Sequence, residues 1–306
     1  MPVPPRIARA RRDARAKKAK AFLNKTVPRV LKSNARARRG VEAACLVVDP
    51  PKCKTSSSEE AIQRDGPSEK TSSKDAGPEP PTRAVRITLR VTDTLEAASR
   101  LMPRVAVLNM ASPLRPGGGI LTGATSQEEY LCGRTTLHPS LREDFYRLPD
   151  VGGVYTPDVL VVKSWDAQGH DLPVSKRFFV DVVTAAMLRM PDVEGDAYVE
   201  DKDKEIVLKK MRAVMRMVKG RGVDRLVLGA WGCGAYGNPV REIARAWKKV
   251  LCGRKGKEKD DGEGWDGLEV VFAIKDRRMA DIFTSEFGGG LIVEENDAEE
   301  EAEEQK

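Results

Sequence analysis

Residues 104–129 restrict the chain more than any other stretch. They run Arg-Val-Ala-Val-Leu-Asn-Met-Ala-Ser-Pro-Leu-Arg-Pro-Gly-Gly-Gly-Ile-Leu-Thr-Gly-Ala-Thr-Ser-Gln-Glu-Glu. The apolar run Val105–Leu108 has the length of a buried strand. Gly117, Gly118 and Gly119 follow in a loop, and Gln127-Glu128-Glu129 opens what reads as a short helix. Consecutive glycines let backbone N–H groups converge on an anion, because no Cβ obstructs positive φ or close approach. Two carboxylates beside an anion site repel it, so their presence points to proton handling next to a phosphate.

Pro116-Gly-Gly-Gly119, a seven-residue spacer and Gln127-Glu128-Glu129, preceded by Leu108-Asn-Met-Ala-Ser112, resemble the signature of the microbial-type poly(ADP-ribose) glycohydrolases. The resemblance continues through Tyr130–Leu137, Pro157–Val159 and Val180–Ala185 to Gly229–Pro239, covering residues 85–290. It implies a macrodomain-like three-layer α/β/α fold with a mixed central sheet. It also implies hydrolysis of the ribose–ribose O-glycosidic bonds of poly(ADP-ribose), releasing ADP-ribose with no metal and no cofactor. In that family's pattern Glu129 is the general acid/base and Glu128 positions the ribose. Asn109, Gln127 and the glycines at 117, 118 and 119 join the substrate-binding set. Two positions depart from the pattern and bear on substrate range: Met110 stands where the family usually has Phe, and Arg115 where it often has Asn.

The residues also admit other readings. Ser126-Gln-Glu-Glu129 fits a capping box, in which Ser126 caps the helix and Glu129 reaches back to its N–H. For acid catalysis, a Glu with a reference pKa of about 4.3 must be raised to about 7 for half protonation at neutral pH, about 3.7 kcal/mol of environment. A neighbouring Glu, a substrate diphosphate and burial all push that way. Asn109, at a predicted strand end, either satisfies a turn or binds ribose hydroxyls through an amide that donates and accepts.

Gly232-Cys-Gly-Ala-Tyr-Gly237 matches G-x-G-x-x-G between a strand and a helix. As a Rossmann fingerprint it lacks the ribose-binding acid about twenty residues on. In macrodomain-like proteins such a loop wraps the diphosphate and distal ribose, which implicates Gly232, Cys233, Gly234, Ala235, Tyr236, Gly237 and Asn238, with Tyr236 over the sugar. Cys233 lacks a histidine partner for nucleophilic work. The competing functions are a non-catalytic ADP-ribose reader, a mono-ADP-ribosyl hydrolase and, more remotely, an NAD-dependent oxidoreductase.

Charge divides the chain. The net charge is +7, yet residues 1–40 hold fourteen Lys and Arg against Asp13 alone, and 294–306 hold eight acids against one Lys, leaving the remainder near neutral. We therefore expect a basic N-terminal arm over 1–49, helical in part, and a Pro/Ser-rich linker over 50–84. The catalytic domain follows over 85–293 with a charged insertion at 253–266, and an acidic tail occupies 294–306. An acid-poor Arg/Lys run such as residues 6–39 suits nucleic acid or another polyanion. Five cysteines without Cys-x-x-Cys spacing point to a reducing intracellular compartment, nuclear or cytoplasmic, with a mitochondrial transit segment as a weaker reading. Two histidines argue against a histidine-built metal site, and no apolar run reaches membrane-spanning length.

Period-2 and apolar runs predict strands at 85–91, 104–109, 158–162, 178–183, 225–228 and 268–274. Helical periodicity covers 94–101, 204–218, 240–251 and 277–287. Alternating strands and helices of this kind fold as layered α/β.

Overall fold

The computed structural model describes residues 4–53, 84–253 and 263–294. Most of the expected linker, the middle of the expected charged insertion and nearly all of the acidic tail lie outside the described residues.

The chain opens with α1 (Pro5–Ala21), a π-helical turn (Phe22–Thr26), α2 (Val27–Ser33), α3 (Ala35–Glu42) and β1 (Cys45–Val48). Next come β2 (Arg86–Arg90), α4 (Thr94–Ser99), β3 (Ala106–Met110), α5 (Gln127–Cys132), β4 (Gly152–Val161) and β5 (Phe178–Ala185). A small hairpin, β6 (Val193–Glu194) and β7 (Ala197–Tyr198), precedes α6 (Asp201–Lys219) and β8 (Arg225–Leu228). The described chain closes with α7 (Val240–Cys252), β9 (Glu269–Ala273), α8 (Arg277–Phe287) and β10 (Ile292–Glu294).

Eight strands form one sheet in the order β1-β4-β5-β3-β8-β9-β2-β10. The run from β5 to β10 is parallel, whereas β4 is antiparallel to β5 and β1 antiparallel to β4. The sheet is thus mixed, as expected. Its central strands are apolar on both faces, which is what a parallel sheet covered twice requires. Ala106, Leu108, Leu226, Leu228, Val270 and Phe272 face one core with Met211 of α6, Trp247 of α7 and Phe283 of α8. Val107, Val227 and Val271 face the other, with Leu95 of α4 and Leu131 of α5. Three layers result.

The second core contains a correction to the expected arm. Phe22, Val27, Val30 and Ala37 are buried in it, and Gly40 approaches the Pro157 carbonyl so closely that a Cβ would overlap it. Cys45–Val48 then extends the sheet by an edge strand against β4. Residues 22–48 therefore pack with the domain, whereas α1 buries no side chain. Burying their apolar positions stabilises this segment in spite of its charge. Among the described residues no helix is long and apolar enough to cross a membrane.

Candidate active site

The parallel strands β2, β3, β8 and β9 deliver their carboxyl ends to one side of the sheet, where loops of an α/β fold bind ligands. A cavity of about 720 Å³ opens there. Its walls come from the β2–α4 junction, the glycine loop after β3, the start of α5, the loop after β8 and the β9–α8 junction.

The glycine loop and the Glu pair are locked together. Gly117 and Gly118 both take positive φ, 66° and 58°, which a side chain would strain. A Cβ on Gly118 would lie 2.5 Å from Glu129 Oε1 and 2.7 Å from Glu128 Oε2. Only glycine lets the two carboxyls close over the loop. The Gly119 N–H donates to Glu129 Oε1 at 2.6 Å, and the Ser112 N–H donates to Glu128 Oε2 at 2.8 Å. Each carboxyl is pinned by one oxygen while the other, Glu129 Oε2 or Glu128 Oε1, has no partner. Ser126 makes no side-chain cap bond to α5. The capping-box reading of Ser126 and Glu129 is therefore not the arrangement adopted.

Gln127 anchors the helix. Its Oε1 accepts from the Met110 N–H at 2.9 Å and its Nε2 donates to the Leu108 carbonyl at 2.8 Å, tying α5 to the end of β3. Glu128 is 2 % exposed. Burial pushes its pKa up to about 8, opposed by the Ser112 N–H and reinforced by the Glu129 charge. The carboxyl that the fold lifts in this way is thus Glu128. Burial thereby favours its protonated form.

Asn109 is fully buried behind this wall, its Nδ2 donating to Thr184 Oγ1 at 3.2 Å and its Oδ1 unpartnered. It does not line the cavity, and neither does Gly117, which packs on His138. Gly118, Gly119, Gln127, Glu128 and Glu129 do.

Across the cavity, Gly232, Gly234, Ala235 and Tyr236 form the facing wall. Cys233 is buried beneath it with its Sγ toward the Trp231 carbonyl, and burial pushes its pKa up to about 12, unsuited to a nucleophile. Gly237 lies outside the lining. Asn238 braces the loop from behind: its Nδ2 donates to the Leu188 and Gly232 carbonyls at 2.8 and 3.1 Å, and its Oδ1 accepts from Tyr198 Oη at 2.8 Å. Both glycine loops therefore border one cavity.

Several lining residues went unmarked in the sequence reading. Asp93 caps α4 through the Leu95 and Glu96 N–H groups and sits 3.5 Å from Lys275 Nζ. Lys275 and Asp276 follow β9, and Arg189 follows β5. Each lies just past the end of a sheet strand. That position relative to predicted strands was the available signal.

Residues 52–164 match the family model described as microbial-type PARG, catalytic domain. No curated protein matches the chain. Among solved structures, the X-ray structure of poly(ADP-ribose) glycohydrolase from Thermomonospora curvata shares 24 % identity at a TM-score of 0.65, covering 90 % of this chain and 100 % of that one. The Deinococcus radiodurans poly(ADP-ribose) glycohydrolase in complex with ADP-ribose shares 26 % identity at a TM-score of 0.54, covering 67 % of this chain and 85 % of that one. Over residues 52–164 this chain is therefore similar to the microbial-type PARG catalytic domain, and it shares the fold of the solved bacterial poly(ADP-ribose) glycohydrolases.

Proposed function

We propose that this protein hydrolyses poly(ADP-ribose) to ADP-ribose at the Glu128–Glu129 pair. The observation that carries the reading is the pinning of one oxygen of each carboxyl to the glycine loop while the other stays buried and unpartnered in the cavity wall. A buried acceptor without a partner is costly, and a sugar hydroxyl would donate to it. Glu129 protonates the leaving ribose oxygen as the C1″–O bond breaks with oxocarbenium character, and then takes a proton from the water that attacks C1″. Glu128, its protonated form favoured by burial, donates to a ribose hydroxyl and keeps a second negative charge away from the diphosphate.

The N–H groups of the Gly232–Tyr236 turn hold the diphosphate on one side, and Gly118, whose own N–H is taken by the Arg115 carbonyl, lets it approach closely on the other. Arg115 and Arg189, both exposed at the cavity and without an ion-pair partner among the described residues, add positive charge for it. Gly117 and Asn238 serve these loops by shaping them, Asn109 by backing Glu128. Five free cysteines suit a reducing compartment, nuclear or cytoplasmic.

Glu129→Gln is the decisive variant. It should bind ADP-ribose with unchanged affinity in calorimetry while release of ADP-ribose from labelled polymer falls by about 10³-fold or more. Wild-type protein that binds ADP-ribose yet releases none from polymer would be a reader. Release only from mono-ADP-ribosylated peptide would reassign the substrate.

A further inference from the structure

α1 is an anomaly of the fold. It buries no side chain, and its one large aliphatic residue, Ile7, is 47 % exposed. Hydrophobic packing does not explain why seventeen residues, about 25 Å of helix, lie on this surface. Polar contacts hold it. Arg12 Nε donates to the Thr122 carbonyl at 2.7 Å, Arg15 Nε to the Gly123 carbonyl at 2.9 Å and Lys18 Nζ to the Gln168 carbonyl at 2.6 Å. Gly123, at φ 77°, lets the helix backbone come so near that a Cβ would overlap the Arg12 carbonyl.

The docking site matters because of its neighbours. Thr122 and Gly123 belong to the short turn between the glycine loop and Glu128-Glu129, and Gly119, Thr125 and Ser126 on either side of that turn line the cavity. The helix is thus fixed within a few residues of the mouth. Three of its cations face backbone carbonyls. Arg6, Arg9, Arg11, Lys17 and Lys20 are exposed and have no ion-pair or hydrogen-bond partner among the described residues, with Asp13 the one acid on the helix. Five uncompensated positive charges stand beside the cavity read above as the poly(ADP-ribose) site.

We propose that α1 is a binding surface for the substrate polymer outside the cavity, its outward cations holding diphosphates of ADP-ribose units that are not being cleaved. This rests on poly(ADP-ribose) being the substrate and assigns the partner of the basic helix to that polymer rather than to duplex nucleic acid. Neutralising phosphates of a single strand releases counterions, so the contribution depends on salt and on chain length. A single ADP-ribose, held wholly in the cavity, would not feel it.

The test replaces Arg6, Arg9, Arg11, Lys17 and Lys20 by Gln and leaves Arg12, Arg15 and Lys18 in place. Wild type and variant are compared on long and very short poly(ADP-ribose) at several salt concentrations, with ADP-ribose affinity and thermal midpoint measured alongside. The proposal expects KM for long chains to rise ~10-fold or more at low salt and the slope of log KM against log salt to fall by about 0.7 for each phosphate that the variant no longer neutralises. The kcat, the KM for very short chains and ADP-ribose affinity should not change. Unchanged KM and salt slope on long chains would overturn it, as would loss of duplex DNA binding with polymer kinetics intact. If five changes unfold the protein, the pair Arg6→Gln and Lys17→Gln, which projects directly away from the docked face, replaces them. Should wild type fail to cleave polymer, the glycohydrolase reading fails by itself. Retention of long polymer on filters by wild type, but not by the variant, would still support the helix surface.

Discussion

A methyl group on Gly118 would meet carboxylate oxygens of Glu129 and Glu128 at 2.5 and 2.7 Å, in a backbone conformation that L residues avoid. Gly118→Ala should therefore fold, because the loop is at the surface of the sheet, but displace both carboxyls. We expect turnover on polymer to fall by about 10²-fold, the scale on which misplacement by an ångström acts, measured as initial rate of ADP-ribose release. Glu128 gives a second prediction at this scale. Its pKa lies near 4.5 in a free chain and is raised to about 8 by burial. Between those values the unfolded chain releases a proton that the native state retains, so native stability is full below about pH 4.5 and declines as pH rises toward 8. Glu128→Gln removes the titrating group, and denaturation at pH 5 and pH 8 should show a smaller loss in the variant. The difference should be on the order of a few kcal/mol. The triplet and the glycines were legible in sequence because glycine and paired acids have few other uses at that spacing. That burial drives Glu128 up was not, because it depends on that carboxyl turning inward under α5.

At the scale of elements, the strands β2, β3, β5, β8 and β9 and the helices α4, α6, α7 and α8 follow the predicted periodicity closely, since each carries its own apolar stripe or run. The strand predicted at 158–162 instead begins at Gly152, because Gly152–Tyr155 pair with β1 and Val154–Thr156 with β5. Charge concealed the N-terminal elements. Leu23, Val27 and Val30 recur at helical spacing beside Phe22 but are surrounded by Lys and Arg, and a reading weighted by charge sees a solvated arm. Phe22 is 5 % exposed, in the core shared with β3 and β8. Phe22→Ala should cost about 3–5 kcal/mol in chemical denaturation, whereas Ile7→Ala on α1 should change stability by less than about 0.5 kcal/mol. Equal, negligible effects would mean that residues 22–48 do not pack as described.

For the whole molecule, the cavity is assembled from segments that are far apart in the chain, from Thr92 to Met279. Ligand bound there ties the two halves of the sheet together. ADP-ribose at about 100 times its Kd should add about 2.7 kcal/mol to unfolding and raise the thermal midpoint by several degrees in a single transition. A ligand-free and a ligand-shifted transition appearing together would instead mean that the halves unfold separately.

By itself the sequence determined the local chemistry: a strand, a glycine loop able to turn its N–H groups inward, two adjacent acids and the family they resemble. These are short-range properties, written in residues that are neighbours in the chain. Tertiary structure alone decided that Asp93, Arg189 and Lys275 join the two glycine loops at one cavity, and that a highly basic segment belongs to the core. Those outcomes depend on which strand ends lie side by side and which apolar faces meet, and such long-range pairings leave little trace in any one stretch of sequence.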